Sequence, residues 1–121
     1  MIVGQERNSF LEKGDYRKIP YWIVRAWGGW VCCYIDVAGI QGFDFNENNY
    51  DPDSLKCNGG VTFASTQLVV GNEIFKGHIL GWDYAHAWDI KKKYSIFDYQ
   101  RHVKFAIDDL LSRYGEDVVK A

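Results

Sequence analysis

Between Tyr21 and Val37 the chain reads YWIVRAW, then Gly28-Gly29, then WVCCYIDV. Two runs rich in β-branched and aromatic residues, parted by two glycines, predict a hairpin over 20–37 closed by a two-residue primed turn, because both turn positions of that type need positive φ. The pairing that follows sets Trp27 opposite Trp30, Ala26 opposite Val31, Arg25 opposite Cys32, Val24 opposite Cys33, Ile23 opposite Tyr34 and Trp22 opposite Ile35. Alternation along a strand then sorts the side chains. Trp22, Val24, Ala26, Val31, Cys33, Ile35 and Val37 form an apolar face expected to be the core side. Tyr21, Ile23, Arg25, Trp27, Trp30, Cys32, Tyr34 and Asp36 form an aromatic face with charged members.

Further strands are expected near 60–66, after the turn Asn58-Gly59-Gly60, and near 74–84, after the turn Gly71-Asn72. In the later strand Phe75, Ile79 and Asp83 share one face, and His78, Leu80, Trp82 and Tyr84 the other. Tyr99, Val103, Ala106, Ile107, Leu110, Leu111 and Tyr114 recur at helical spacing. They predict a helix over 98–114, with Asp98 as its N-cap and Gly115 as its stop. The first fifteen residues are mixed and polar, and Asn8–Glu12 reads as a short helical turn. Residues 38–59 read as a long loop whose Phe43, Phe45 and Tyr50 fold back on the body. The expectation is an α+β fold in a single domain spanning 1–121: an antiparallel sheet packed against a C-terminal helix.

Composition narrows the function classes. The chain has 121 residues, with 14 Lys+Arg against 16 Asp+Glu, so there is no basic excess and duplex DNA is not an expected partner. No apolar run approaches the ~20 residues of a membrane helix, and Met1–Asp15 lacks the basic-then-apolar pattern of a secretory signal. These points lead to an expectation of a cytoplasmic protein without membrane contact. Cys32, Cys33 and Cys57 are odd in number and two are adjacent, which suits reduced thiols filling core volume better than a disulfide framework or a zinc ribbon. The acidic loop lacks the twelfth-position glutamate of an EF-hand and reads as solvated. No metal or cofactor is expected. The 17% aromatic content exceeds what a core of this size needs, so some rings are expected at the surface for recognition.

Gly81-Trp82-Asp83-Tyr84-Ala85-His86-Ala87-Trp88-Asp89 carries the main candidate chemistry. Asp83, His86 and Asp89 stand three apart, and on a helix all three would point into one cleft. An Asp that orients a His makes a general base, and two carboxylates with an imidazole are also a divalent-metal donor set. The plain structural alternative is that Asp83 caps the turn after its strand and His86 hydrogen-bonds to it. His78 and His102 stand isolated in the pattern and read as surface or satisfied residues.

Cys57-Asn58-Gly59-Gly60-Val61-Thr62-Phe63, with Ile79–Asp89 downstream, resembles a family of small uncharacterised phage and prophage proteins that carry an H-G-G-[LV]-T-[FY] element and a later W-x-G-F-D-x-A-H-x-x-D element. Tyr34-Ile35, the loop to Asp51 and the helix to Tyr114 occupy the family's remaining places, so the resemblance covers 30–114. This chain has Asn58 where the family has His, and Trp82 where it has Phe. The resemblance implies a phage-type accessory protein in a bacterial host cell, of a kind that blocks or sequesters a host-defence component.

Three readings follow. In the first, Tyr21, Arg25, Trp27, Trp30 and Tyr34 form a stacking platform that, with Asn58, Asp83, His86 and Asp89, takes a nucleotide-like small molecule, a short single strand or a host protein. The structural alternative to this reading is that the face is covered by the N-terminal segment or by a second copy of the chain, as a homodimer. In the second, the protein is a small hydrolase or phosphodiester-cleaving enzyme with Asp83 and His86 as catalytic pair and Asn58 orienting substrate, although the loss of the family's His weakens this for the present chain. In the third, the aromatic face serves protein contacts alone.

Overall fold

The computed structural model describes residues 8–115. β1 (Ser9–Tyr16), β2 (Ile19–Arg25), β3 (Val31–Asp36), β4 (Phe63–Val70) and β5 (Glu73–Asp83) form one antiparallel sheet in the order β1-β2-β3-β5-β4, and α1 (Ile96–Tyr114) packs across it. The expected α+β architecture is therefore the observed one. Residues 1–7 and 116–121 lie outside the described residues.

The hairpin register differs from the expected one by a single residue. Arg25 pairs with Val31, Val24 with Cys32, Ile23 with Cys33, Trp22 with Tyr34 and Tyr21 with Ile35. The turn is one residue longer than the Gly-Gly break implies. The Ala26 amide donates to the Trp30 carbonyl at 2.8 Å, and the Gly29 amide donates to the Ala26 carbonyl at 2.9 Å. Trp27, Gly28 and Gly29 thus make a three-residue loop in which only Gly29 needs positive φ, at 98°.

Because side chains alternate, the slip exchanges the faces of β2 relative to β3. Ile19 and Ile23 join Val31, Cys33, Ile35, Leu80 and Trp82 beneath the α1 residues Val103, Ala106, Ile107, Leu110 and Leu111. Trp22, Val24, Cys32 and Tyr34 turn to the opposite side, where Leu68, Val70 and Ile79 complete a second buried cluster. Phe10 of β1 meets Phe75 of β5 there at 5.8 Å, and Lys13 pairs with Glu73 at 3.6 Å, so the sheet curls until its two ends close over that cluster. Both faces of the hairpin are consequently interior, and the expected aromatic outer face is not formed.

Asn8–Glu12 is not a helical turn. Ser9 onward is an edge strand with a bulge between Phe10 and Glu12. It enters β2 through Arg17 and Lys18, both at positive φ, 51° and 69°. That conformation is costly without glycine, and the Arg17 guanidinium is held at 2.7 Å from Asp108 on α1.

The helix begins at Ile96, and its N-cap is Ser95 rather than Asp98. Asp98 sits at the third helical position and completes a reciprocal capping box, its carboxylate accepting the Ser95 amide at 2.7 Å while the Ser95 hydroxyl accepts the Asp98 amide at 3.2 Å. Gly115 ends the helix as expected. The long loop packs Phe43, Phe45 and Tyr50 against the helix-side core. Its polar residues close local turns: Asn46 accepts the Asn48 and Asn49 amides, Asp51 accepts the Asp53 amide, and Glu47 accepts the Thr66 amide of β4.

Candidate functional site

The two segments singled out in the sequence meet at the end of β5. Asp83 is the last residue of that strand, and the chain leaves it through a 3₁₀ turn, Ala87–Asp89, rather than a helix. His86 is the N-cap of that turn. The three candidate residues therefore converge by capping, not by a shared helical face.

Asp89 is the centre of the cluster. Its carboxylate is buried. It accepts the His86 amide at 3.1 Å, the His86 Nδ1–H at 3.0 Å, the Asn58 side-chain amide at 3.0 Å and the Tyr94 hydroxyl at 2.9 Å. Burial by itself disfavours the charged form and raises the pKa of such a group. The hydrogen bonds from the His86 amide, Tyr94, the His86 ring and Asn58 outweigh it and hold the carboxyl below its ordinary range. Since an ionised carboxylate only accepts, the His86 ring donates from Nδ1 in this contact.

Asn58 joins the loop to this cluster. Its amide also reaches the Asp83 carbonyl at 3.2 Å, and its oxygen accepts the Trp88 indole N–H at 3.1 Å. Trp88 stacks on His86 at 4.3 Å and 9°. The other edge of the imidazole lies on Gly59, whose φ is 74° and where a Cβ would overlap Nε2 and Cε1 of the ring. Asp83 accepts the Ala85 amide at 3.1 Å and the Thr62 hydroxyl at 3.0 Å, as the capping alternative anticipates. Its carboxylate is farther from His86, 3.8 Å from Nδ1, so the partner that orients His86 is Asp89.

Beside this cluster, between the Lys56–Asn58 segment and α1, lies a cavity of 390 Å³ lined by Lys56, Cys57, Asn58, His102 and Phe105. Its volume is within the range of small-molecule sites. Phe105 offers its ring to solvent, at 58% exposure. His102 is fixed from behind. The Trp82 indole N–H donates to the Tyr84 oxygen at 3.2 Å, and Tyr84 and His102 Nδ1 are 2.7 Å apart. The Tyr84 hydroxyl and a neutral His102 imidazole can each donate or accept in this contact, which fixes the orientation of the ring. Desolvation first, and the Arg101 cation next, lower the His102 pKa from its ordinary value and favour this neutral form. Cys57 is pushed up to about 12 by burial, and Cys32 up to about 11, so neither thiol is a nucleophile near neutrality.

The remaining candidates lie elsewhere. Tyr34 is 4% exposed and meets Phe63 edge-on at 5.1 Å inside the second cluster. Tyr21 donates to Glu12 at 2.8 Å on the helix side. Arg25 donates to the Gly29 carbonyl at 2.7 Å, bracing the hairpin tip. Trp27 and Trp30 reach solvent at that tip, at 68% and 44% exposure. The five residues do not form one platform. Lys56, Tyr94, His102 and Phe105 were not expected at a site. One signal was available: Phe97, Arg101 and Phe105 are spaced by four on the helix yet fall outside its core stripe, so two rings are forced outward.

Among the described residues no three His, Cys, Asp or Glu side chains are grouped as ligands of one metal ion, and no helix is long and apolar enough to cross a membrane. No family model, curated protein or solved structure matches the chain.

Proposed function

We propose that this is a phage-type accessory protein that binds and sequesters a nucleotide-like small molecule, held in the cavity between Lys56–Asn58 and α1. The observation that carries the proposal is the meeting of three complementary groups on one cavity: an exposed ring in Phe105, an ammonium in Lys56 and the imidazole of His102. A nucleobase has a face for the ring, and stacking on an aromatic side chain contributes about 1–3 kcal/mol. A phosphate takes the ammonium as a charge-assisted donor, with the imidazole as a second polar group beside it. Asn58 has both ends of its amide engaged and acts as a fixed wall. The setting in a bacterial host cell rests on the resemblance of the Asn58–Phe63 and Gly81–Asp89 segments to phage proteins.

A second reading, a small hydrolase, is favoured by one observation: the 3.0 Å contact between His86 Nδ1 and a buried carboxylate, the arrangement in which the Nε2 edge of an imidazole serves as a general base. Against it, that edge of the ring rests on Gly59, and all of the Asp89 partners are structural groups of the same cluster.

Calorimetric titration with AMP, GMP and inorganic phosphate tests the first reading. Saturable binding of a nucleotide that is lost in Phe105→Ala and weakened in Lys56→Gln is the expected result. Absence of binding by any of the three removes it. Turnover of a nucleotide or phosphodiester that disappears in His86→Ala would replace it with the second.

A further inference from the structure

We infer that the ligand site is double, with a second subsite on the other side of the Phe105 ring, and that the protein takes a two-nucleotide unit joined by a phosphodiester. This rests on the reading of the first cavity given above. A second cavity of 420 Å³ is lined by Phe97, Gln100, Arg101, Lys104, Phe105 and Asp108 of α1, with Tyr16 of β1. Phe105 is a wall of both cavities.

Phe97, Arg101 and Phe105 follow one another at intervals of one helical turn along the outward side of α1. Phe97 is 71% exposed, so two large rings stand in one row, about 12 Å apart at 1.5 Å of rise per residue. Burying neither ring in the protein's own core leaves two flat apolar faces in line, each beside a cation. Lys56 stands by the first cavity and Lys104 by the second.

The carboxylates near the second cavity are already committed. Asp108 accepts Arg17 at 2.7 Å and the Tyr16 hydroxyl at 3.2 Å. Asp98 accepts Arg101 at 2.7 Å, and Glu12 accepts Tyr21 and Gln100. Lys104 lies 5.6 Å over the Tyr16 ring and pairs with no carboxylate among the described residues. Among the charged groups lining the second cavity, Lys104 is the one without an ion-pair partner among the described residues, and Lys56 beside the first cavity lies 3.9 Å from Asp109. Rings alternating with cations match the alternation of bases and phosphates along a single strand, where stacking supplies affinity and the backbone supplies charge. An acidic peptide would use the cations but has no planar groups to fill both ring positions.

The test is titration of the full-length protein with AMP, 5′-phosphorylated diadenylate and a longer oligoadenylate, with ribo and deoxyribo forms in parallel to separate an RNA source from a DNA one. Diadenylate is expected to bind about tenfold tighter than AMP, as one further stacked base contributes. Phe97→Ala and Lys104→Gln should each remove that gain. Equal affinity for AMP and diadenylate overturns the second subsite and leaves the first standing. Binding of neither overturns both. Tighter binding of an acidic peptide than of diadenylate, lost in Phe97→Ala, overturns the nucleotide assignment in favour of a protein partner.

Discussion

Replacing Asp89 by Ala removes the one group on which the loop at Asn58, the 3₁₀ turn at His86 and the segment at Tyr94 all converge. The consequence can be worked donor by donor. The Asn58 amide keeps the Asp83 carbonyl at 3.2 Å. Tyr94 is only half-buried and finds water. The His86 amide and ring N–H lose their partner, with the Asp83 carboxylate 3.8 Å from Nδ1 as the nearest substitute. An orphaned donor costs about 1–3 kcal/mol, so one to two orphans put the loss at about 2–4 kcal/mol. A domain of this size has about 5–15 kcal/mol in hand and stays folded.

The acid limb supplies a second check. The carboxyl titrates below its ordinary value in the folded state, so its contribution is fully present above the unfolded value of 3.8 and is lost as pH falls through the lower folded value. Urea denaturation of the wild-type and Asp89→Ala proteins at about pH 7 and about pH 3 reads both effects as midpoint shifts at unchanged slope. The gap should be wide at neutrality and narrower in acid. A neutral-pH gap under about 0.5 kcal/mol, or one that does not narrow, would refute the assignment of Asp89 as the ionised centre of the cluster.

Other substitutions test separate parts of the structure. Lys18→Gly relieves a positive φ of 69° at the β1–β2 turn and should stabilise the protein by about 1 kcal/mol in the same assay. Gly59→Ala combines a φ of 74° with overlap against the His86 ring, so it should cost more than the ~1–2 kcal/mol of the backbone alone and should change Trp88 fluorescence as the stacked pair moves. Ser95→Ala removes the hydroxyl arm of the capping box, and thermal unfolding should report a loss of about 1 kcal/mol.

Where the sequence could be read depended on how many faces an element buries. α1 buries one stripe, and Tyr99 through Leu111 marked it at the correct spacing. Its start was displaced because Ser95 and Asp98 are both capping types, and the reciprocal pair they form is visible only as a unit. β5 alternated legibly, with Ile79 and Phe75 on one cluster and Leu80 and Trp82 on the other. β2 and β3 are buried on both faces, so hydrophobicity alone could not choose between two registers one residue apart, and the turn geometry at Gly29 decided. β1 was hidden because an edge strand with Glu12, Lys13 and Asp15 lacks an apolar period. At the site, Asp83, His86 and Asp89 could be named from their spacing of three, and Asn58 from its place in the segment that resembles the phage proteins. That Asp89 rather than Asp83 orients His86 follows from a 3₁₀ cap no spacing reveals. Lys56 and His102 face one cavity from segments distant in the chain, and no local pattern announces such a pairing.

The most direct measurement is a backbone amide chemical-shift map of the full-length protein on addition of AMP. Shifts concentrated at Lys56–Asn58, His102 and Phe105, with the hairpin tip at Trp27 and Trp30 unmoved, are the predicted result. Shifts confined to that tip, or none at saturating nucleotide, would contradict a ligand site between the Asn58 loop and α1.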